Sequence, residues 1–218
     1  MADAQDPWQK KLVSYYPSAV SNQHRAAEVF GTSAVLFERM NSTTIQPASV
    51  EDASGIARVH VESWRTTYAG IIPDSYLSGL SVAELEPRWR ERLRQDKSSI
   101  VCTSDNSGRV VGFAAAGPSE GEIFGEQGCE LYAIYLLQNW QGAGLGRRLF
   151  AEALKTVGDG VPVSTWCLSA NPSHVFYELL GGETLGTQSV EIGGAKLEET
   201  CYGWRNAREL RRGLTAEC

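Results

Sequence analysis

The sequence has little cysteine, and what it has is scattered: five residues, at positions 102, 129, 167, 201 and 218. There is no CxxC pair to hold a metal, and an odd, widely spaced set does not make the framework of a secreted disulfide domain. Buried free thiols are the plain reading. Histidine is scarcer still, and His24, His60 and His174 show no metal-ligand spacing. No apolar run approaches the about 20 residues of a membrane span. The amino-terminal stretch carries Asp3, Asp6, Lys10 and Lys11 where a signal peptide would have an apolar core. A cytoplasmic protein with no metal and no membrane partner is expected. Cationic excess is also lacking, since the formal charge is −6. Broad nucleic-acid binding needs local cation density, so no nucleic-acid partner is expected. A mildly acidic chain suits a cationic small molecule somewhat better.

What is present fits a folded domain. Of the 218 residues, 42 % are hydrophobic and 21 % charged, with six Trp and eight Tyr. That supports one sizeable core with or without an appendage. Residues 1–43 read as an extension, with an amphipathic run from Trp8 to Tyr16 that Pro17 interrupts and a helix or strand over Ala26 to Met40 that Gly31-Thr32-Ser33 weakens. Residues 44–205 form the main domain, and 206–218 form a tail carrying Arg208, Arg211 and Arg212. The tail reads as ordinary surface charge, a basic helix end or a contact surface.

Within the main domain Thr44-Ile45-Gln46 reads as a first strand. Ser49-Val50-Glu51-Asp52 has capping-box spacing, and Ile56, Val59, His60 and Ser63 then share one face, which predicts a helix over 51–65. A second capping signal at Ser81 leads into Leu85, Trp89 and Leu93. Pro87 interrupts that stripe and predicts a kink or a later helix start. Strands are predicted at 100–102 and 110–116. The stretch 117–128 is a loop holding Glu120, Glu122 and Glu126. Leu131 to Leu137 is a nearly continuous apolar run, expected of a strand covered on both faces. A helix over 144–157 follows, with the stripe Leu145, Leu149, Phe150, Ala153, Leu154 and Val157. Val161 to Leu168 is the next strand. Asn171-Pro172 opens a short helix that Gly181-Gly182 closes. Residues 183–190 and 197–204 read as strands joined through Gly193-Gly194. The order implies an α/β fold of the α+β kind, a mixed central sheet flanked by helices.

Gly142, Gly144 and Gly146 alternate directly after a strand and at the start of a helix. A helix start leaves backbone N–H groups without partners and its dipole favours negative charge. Glycines let a phosphate come close to those groups. A structural turn would give the same pattern. A P-loop is excluded, because no Lys follows the glycines. A dinucleotide fingerprint fits poorly, because the spacing is GxGxG and lies late in the chain.

The segment Leu136 to Gly146 resembles motif A of the GCN5-related N-acetyltransferase (GNAT) family. Gln141, Gly144 and Gly146 fill its Q/R-x-x-G-x-G/A signature. Val59 to Pro73 resembles the amino-terminal part of one bacterial-type branch. Asn171-Pro172 and Phe176 to Gly182 resemble the later cofactor-side motif. The resemblance runs from about residue 44 to 205. It departs at Gln138, where Pro is frequent, and in the short spacing from Asn171 to Tyr177.

The resemblance implies an acyl-CoA N-acyltransferase-like fold whose sheet splays open at a cofactor cleft. It implies acetyl-CoA, or another short acyl-CoA, as co-substrate. The pyrophosphate would meet Gln141, Gly142, Ala143, Gly144, Leu145 and Gly146. The pantetheine arm would bond the backbone near Ile134 and Leu136, with Asn171 on the cofactor side. Tyr177 is implied as the acid that protonates the leaving thiolate, since a phenol is neutral near pH 7. Trp64, Tyr68 and Tyr76 fall where the acceptor is bordered, and aromatic walls suit an amine or simply a core.

Glu130 stands at the entrance to the apolar strand and is the candidate base, a partly desolvated carboxylate being easier to protonate. A solvent-facing acid is the competing reading. The three loop acids would draw an amine toward the same region. His60 sits on an apolar helix face and reads as packing rather than a base. Cys129 lacks a base partner and is a poor nucleophile candidate. Three functions remain: N-acetylation of a small amine by direct attack, N-acetylation of a peptide or protein, and a non-catalytic acyl-CoA sensor. A monomer or a homodimer is expected.

Overall fold

The structure is a computed structural model and describes residues 43–95, 98–119, 123–124 and 127–215. The extension up to residue 42 and the acids Glu120, Glu122 and Glu126 lie outside the described residues, as do His24 and Cys218.

Seven strands among the described residues form one sheet: β1 (Thr44–Pro47), β2 (Ser99–Ser104), β3 (Val110–Pro118), β4 (Cys129–Leu136), β5 (Val163–Leu168), β6 (Glu183–Ile192) and β7 (Ala195–Trp204). Their order is β1-β2-β3-β4-β5-β7-β6. The β4–β5 pair is parallel and every other neighbouring pair antiparallel. This is the mixed sheet expected. Among the described residues six α-helices accompany it: α1 (Ala53–Thr67), α2 (Asp74–Gly79), α3 (Val82–Arg94), α4 (Leu145–Ala153), α5 (His174–Leu179) and α6 (Ala207–Thr215). None is long and apolar enough to cross a membrane.

The helices divide the core between the two faces of the sheet. On one face Ile56, Val59 and Trp64 of α1, with Leu85 and Trp89 of α3, pack on Phe113, Ala115, Ala133 and Tyr135. On the other, Leu145, Leu149 and Phe150 of α4, with Leu210 and Leu214 of α6, pack on Leu131, Ile134, Leu136 and Val163. All eight residues of β4 are buried, as its apolar run requires.

Several element ends differ from the sequence pattern for physical reasons. The capping box at Ser49 is made, with the Ser49 N–H donating to Asp52 Oδ2 at 2.8 Å. A 3-10 turn (Val50–Asp52) nevertheless precedes α1, which extends to Thr67. Helix α3 begins at Val82 and runs through Pro87 unbroken. Proline there forfeits one bond near the helix start, while buried Leu85 and Trp89 hold the helix to the core. Helix α4 stops at Ala153, short of the 144–157 stripe. Arg211 of α6 donates to the Leu154 and Val157 carbonyls at 2.9 and 2.8 Å, satisfying the carbonyls of that end. Arg211 also bonds Asp159. The basic tail is therefore a packed helix that closes α4.

A buried histidine joins α1 to α3. Trp89 donates its indole N–H to His60 Nδ1 at 3.1 Å, and the His60 ring stacks on Tyr135 at 5.5 Å. Nδ1 accepts, so the neutral ring carries its proton on Nε2. Burial pushes the imidazole down to about 3. The unfolded chain takes up this proton near pH 6.5, whereas the folded chain does not until far lower pH. Stability is thus complete above pH 6.5 and falls as pH drops below it. The share from His60 at pH 5 is about 2 kcal/mol. Urea unfolding at pH 7 and pH 5 should show this loss, and the His60→Gln variant should show a flatter pH dependence. An equal slope in both proteins would contradict it.

Candidate active site

Strands β4 and β5 pair at only two positions, Cys129 with Val163 and Glu130 with Ser164. Beyond them the strands part, while β5 stays paired with β7 along all six of its residues. The first bond past the last rung comes from a side chain: Thr165 Oγ1 donates to the Leu131 carbonyl at 3.0 Å. The splay inferred from the resemblance lies here.

A bulge in β4 decides which backbone groups face the gap. Opposite β3, Ala116 pairs with Leu131 and Ala115 with Ala133, so Tyr132 is the extra residue. Before the bulge the odd-numbered groups face β5, as the Cys129 N–H bond to Pro162 O (2.9 Å) shows. After it the Leu137 N–H turns to Val111 O of β3 at 2.9 Å. By alternation, the N–H and C=O groups of Ile134 and Leu136 then point into the gap. These are the two residues implied to bond a pantetheine arm.

At the open end of the gap lies the glycine segment. Gly142 and Gly144 have φ of 78° and 75°, which disfavour a side chain. Gly144 is the N-cap of α4, and the Arg148 N–H is bonded to its carbonyl at 3.2 Å. The N–H groups of the first turn, at 145–147, precede that bond and point out of the helix start. Gly146 differs: a methyl there would meet Phe176 and Leu136 only at ordinary contact distance. The fold itself leaves room for a small side chain at this position. Gln141 has a bracing role. Its side chain is buried and donates to the Leu136 carbonyl at 2.9 Å, tying the loop to the end of β4. Ala143 and Leu145 are buried beneath the loop.

On the β5 side Asn171 is fully buried. Its Oδ1 accepts the Ser173 N–H at 3.0 Å, a turn that delays α5 to His174 instead of beginning it at Pro172. Tyr177 of α5 is 0 % exposed. Its ring stacks on Tyr202 at 5.6 Å and meets Phe176 and Trp204 edge-on. Tyr68, at the end of α1, hydrogen-bonds both Tyr135 and Asn171. Trp64 donates its indole N–H to the Tyr135 hydroxyl at 3.0 Å. Burial drives the Tyr68 and Tyr135 phenols well above their ordinary range, so both stay neutral.

Trp64, Tyr68 and Tyr76 are thus brought together, with ring centroids of Trp64 at 5.0 Å from Tyr68 and 6.2 Å from Tyr76. Their settings differ. Trp64 and Tyr68 are inside the protein and turn polar atoms to the gap network, whereas Tyr76 is only half-buried. The tip of the β6–β7 hairpin rests on Tyr76, and a methyl at Gly193 would come within 2.6 Å of Tyr76 Cβ.

Glu130 is buried, not solvent-facing. Cys129 and Leu131 face α4, so Glu130 faces the α1–α3 side with Trp166 of β5. Glu199 of β7, also buried, accepts the Gln188 amide at 2.5 Å. Both carboxylates act on the Cys201 thiol, which burial first and these charges second push up to about 12. Burial likewise pushes Cys129 to about 12, which disfavours the thiolate a nucleophile needs. Sequence reasoning missed Glu199, Tyr135 and Thr165. Period-two alternation with Leu197 and Cys201 marks Glu199 as inward-facing, unlike its neighbour Glu198.

The profile of the Acetyltransferase (GNAT) family matches residues 61–182. The chain is 39 % identical over 170 residues to the uncharacterised N-acetyltransferase YuaI of Bacillus subtilis, spanning 77 % of this chain and 96 % of that one. It is 30 % identical over 139 residues to mycothiol acetyltransferase of Thermobifida fusca, which covers 57 % of this chain and 41 % of the relative. In structure it is similar to the PaiA N-acetyltransferase of Thermoplasma acidophilum in complex with coenzyme A. The TM-score is 0.52 at 19 % identity, over 73 % of this chain and 98 % of that one. The YncA structure from Salmonella typhimurium, with its cofactor acetyl-CoA, gives 0.57 at 20 % over 76 % and 94 %. These structures share the fold. With the family profile and the relatives in sequence, they establish that this chain belongs to the GNAT acetyltransferase family and is an acyl-CoA-dependent N-acyltransferase.

Proposed function

We propose that the protein moves an acetyl group from acetyl-CoA to the primary amine of a small, cationic molecule by direct attack. The observation that carries this reading is the gap between β4 and β5, which ends at the first turn of α4. A doubly negative pyrophosphate suits the 142–146 amides and the positive end of the helix. The pantetheine arm would add a strand-like partner to Ile134 and Leu136. The thioester then lies between Tyr177 on one side and the α1–α3 face on the other.

The amine nitrogen attacks the carbonyl carbon and the carbon–sulfur bond breaks. Tyr177 gives its proton to the departing sulfur, and Glu130 takes the proton lost by the amine, directly or through water. Alignment of the two reactants supplies much of the remaining acceleration. The β6–β7 hairpin reaches over to Tyr76 on the acceptor side. That favours a small amine over a folded protein surface. The buried carboxylates Glu130 and Glu199 favour a cation.

Release of free thiol from acetyl-CoA in the presence of an amine panel tests the activity. Cofactor binding with no turnover on any amine would instead support a sensor, and turnover confined to peptides would support the peptide reading. Tyr177→Phe should lower kcat by about 10²- to 10⁴-fold and leave acetyl-CoA affinity nearly intact. Full turnover in that variant removes the acid role. Glu130→Gln should abolish the acidic limb of the kcat/KM profile, and a retained limb at full rate removes the base role. Gly144→Val forces a side chain into left-handed backbone, at about 1–2 kcal/mol. It should weaken coenzyme A binding measured by calorimetry more than tenfold. Unchanged affinity in a folded variant would refute the cradle.

A further inference from the structure

Strand β5 is buried along its whole length, yet it carries a threonine near its middle. Val163 and Cys167, two residues to either side, pack in the core beneath α4, so Thr165 faces the same way. It is 0 % exposed, and a hydroxyl in such a place needs a partner. The partner lies on the neighbouring strand, where the Leu131 carbonyl accepts from Thr165 Oγ1 at 3.0 Å. Glu130 and Ser164, one residue back on each strand, form the last paired rung. The side-chain bond therefore closes the β4–β5 gap at its inner end.

Paired strands stand about 4.8 Å apart, which leaves no room for a carbon chain between them. The tie between Thr165 and Leu131 extends that closure by one residue. The gap thus has a floor, built from two fully buried residues. Toward α4 the gap opens at Ile134, whose backbone groups face it. Three residues separate Ile134 from Leu131, and the bulged Tyr132 is one of the steps between them. At ~3.3 Å per residue the depth from Ile134 to the floor is at most roughly 10 Å.

We propose that Thr165 is a specificity-determining residue for the acyl group: its bond to Leu131 ends the acyl pocket and limits transfer to short chains. This rests on the reading that the pantetheine arm lies in the gap, with its last amide at Ile134. Two carbons, the sulfur and the thioester carbonyl follow that amide and take up most of the depth. An acetyl methyl fits in what is left. Each further methylene is driven against the Thr165 side chain. A longer chain enters only by breaking the tie, which leaves a buried hydroxyl and a buried carbonyl unpaired.

Calorimetric affinities for acetyl-CoA, butyryl-CoA and free coenzyme A test this in the wild type, Thr165→Ser and Thr165→Ala. Wild type should bind butyryl-CoA at least about tenfold more weakly than acetyl-CoA, as expected for methylenes a pocket does not accommodate. Thr165→Ser keeps the hydroxyl and should keep most of that difference. Thr165→Ala removes tie and bulk and should narrow it by about tenfold. A merely structural role would instead weaken both acyl-CoAs alike. Equal affinities in the wild type, or an unchanged difference in a folded Thr165→Ala, would overturn the proposal. If Thr165→Ala does not fold, Thr165→Val takes its place. It fills the same space without the tie, and an unchanged difference there would overturn the proposal too. Gly144→Val separates this inference from the reading beneath it. Normal coenzyme A affinity in that variant would remove the cradle and the floor together. Weakened affinity there, with discrimination retained in Thr165→Ala, would remove the floor alone.

Discussion

A parallel strand pair that ends after two rungs leaves the rest of its facing backbone polar groups without sheet partners. Inside a protein such groups are costly unless something satisfies them. The parting of β4 from β5 sets this condition, and much of the site answers it. Thr165 reaches back to Leu131, Gln141 and Ser63 take the Leu136 carbonyl, and a chain of aromatic and amide side chains spans the wider part. What stays directed into the gap is a short row of backbone groups suited to an extended, amide-bearing arm.

The bulge at Tyr132 and the glycines of the following loop belong to the same arrangement. Without the extra residue, Ile134 and Leu136 would turn their backbone groups to β3 rather than to the gap. Without left-handed backbone at Gly142 and Gly144, α4 would not begin where β4 ends. Strand groups and helix-start amides therefore lie in sequence along one path. A carrier with an extended arm and a diphosphate matches both parts. The closing of α4 by Arg211 fixes its far end, so that the helix start is held from both directions.

Burial holds the Tyr68 and Tyr135 phenols and the His60 imidazole neutral on the α1–α3 face, and the carboxyl groups of Glu130 and Glu199 are buried as well. The β6–β7 hairpin packs against the same face at Tyr76.

Local pattern in the sequence carried the sheet-and-helix order, the continuous burial of β4 and the place of the glycine loop before α4. Each is a property of one element or of one strand–loop–helix step. Apolar periodicity and left-handed glycines express such steps directly. The left-handed glycines at the start of α4 were legible for that reason, while Tyr177 was singled out only through the resemblance and its catalytic role stays a proposal. Periodicity did not give the end of α4, which an arginine more than 50 residues away decides. Nor did it give the setting of Tyr68, whose bonds reach Tyr135 and Asn171 on either side of the splay. Glu130 read equally well as a solvated acid until the register of β4 against β3 and β5 placed it inside. A side chain's partner depends on how separate elements align, and that alignment is fixed by packing across the whole sheet, not by any run of neighbouring residues.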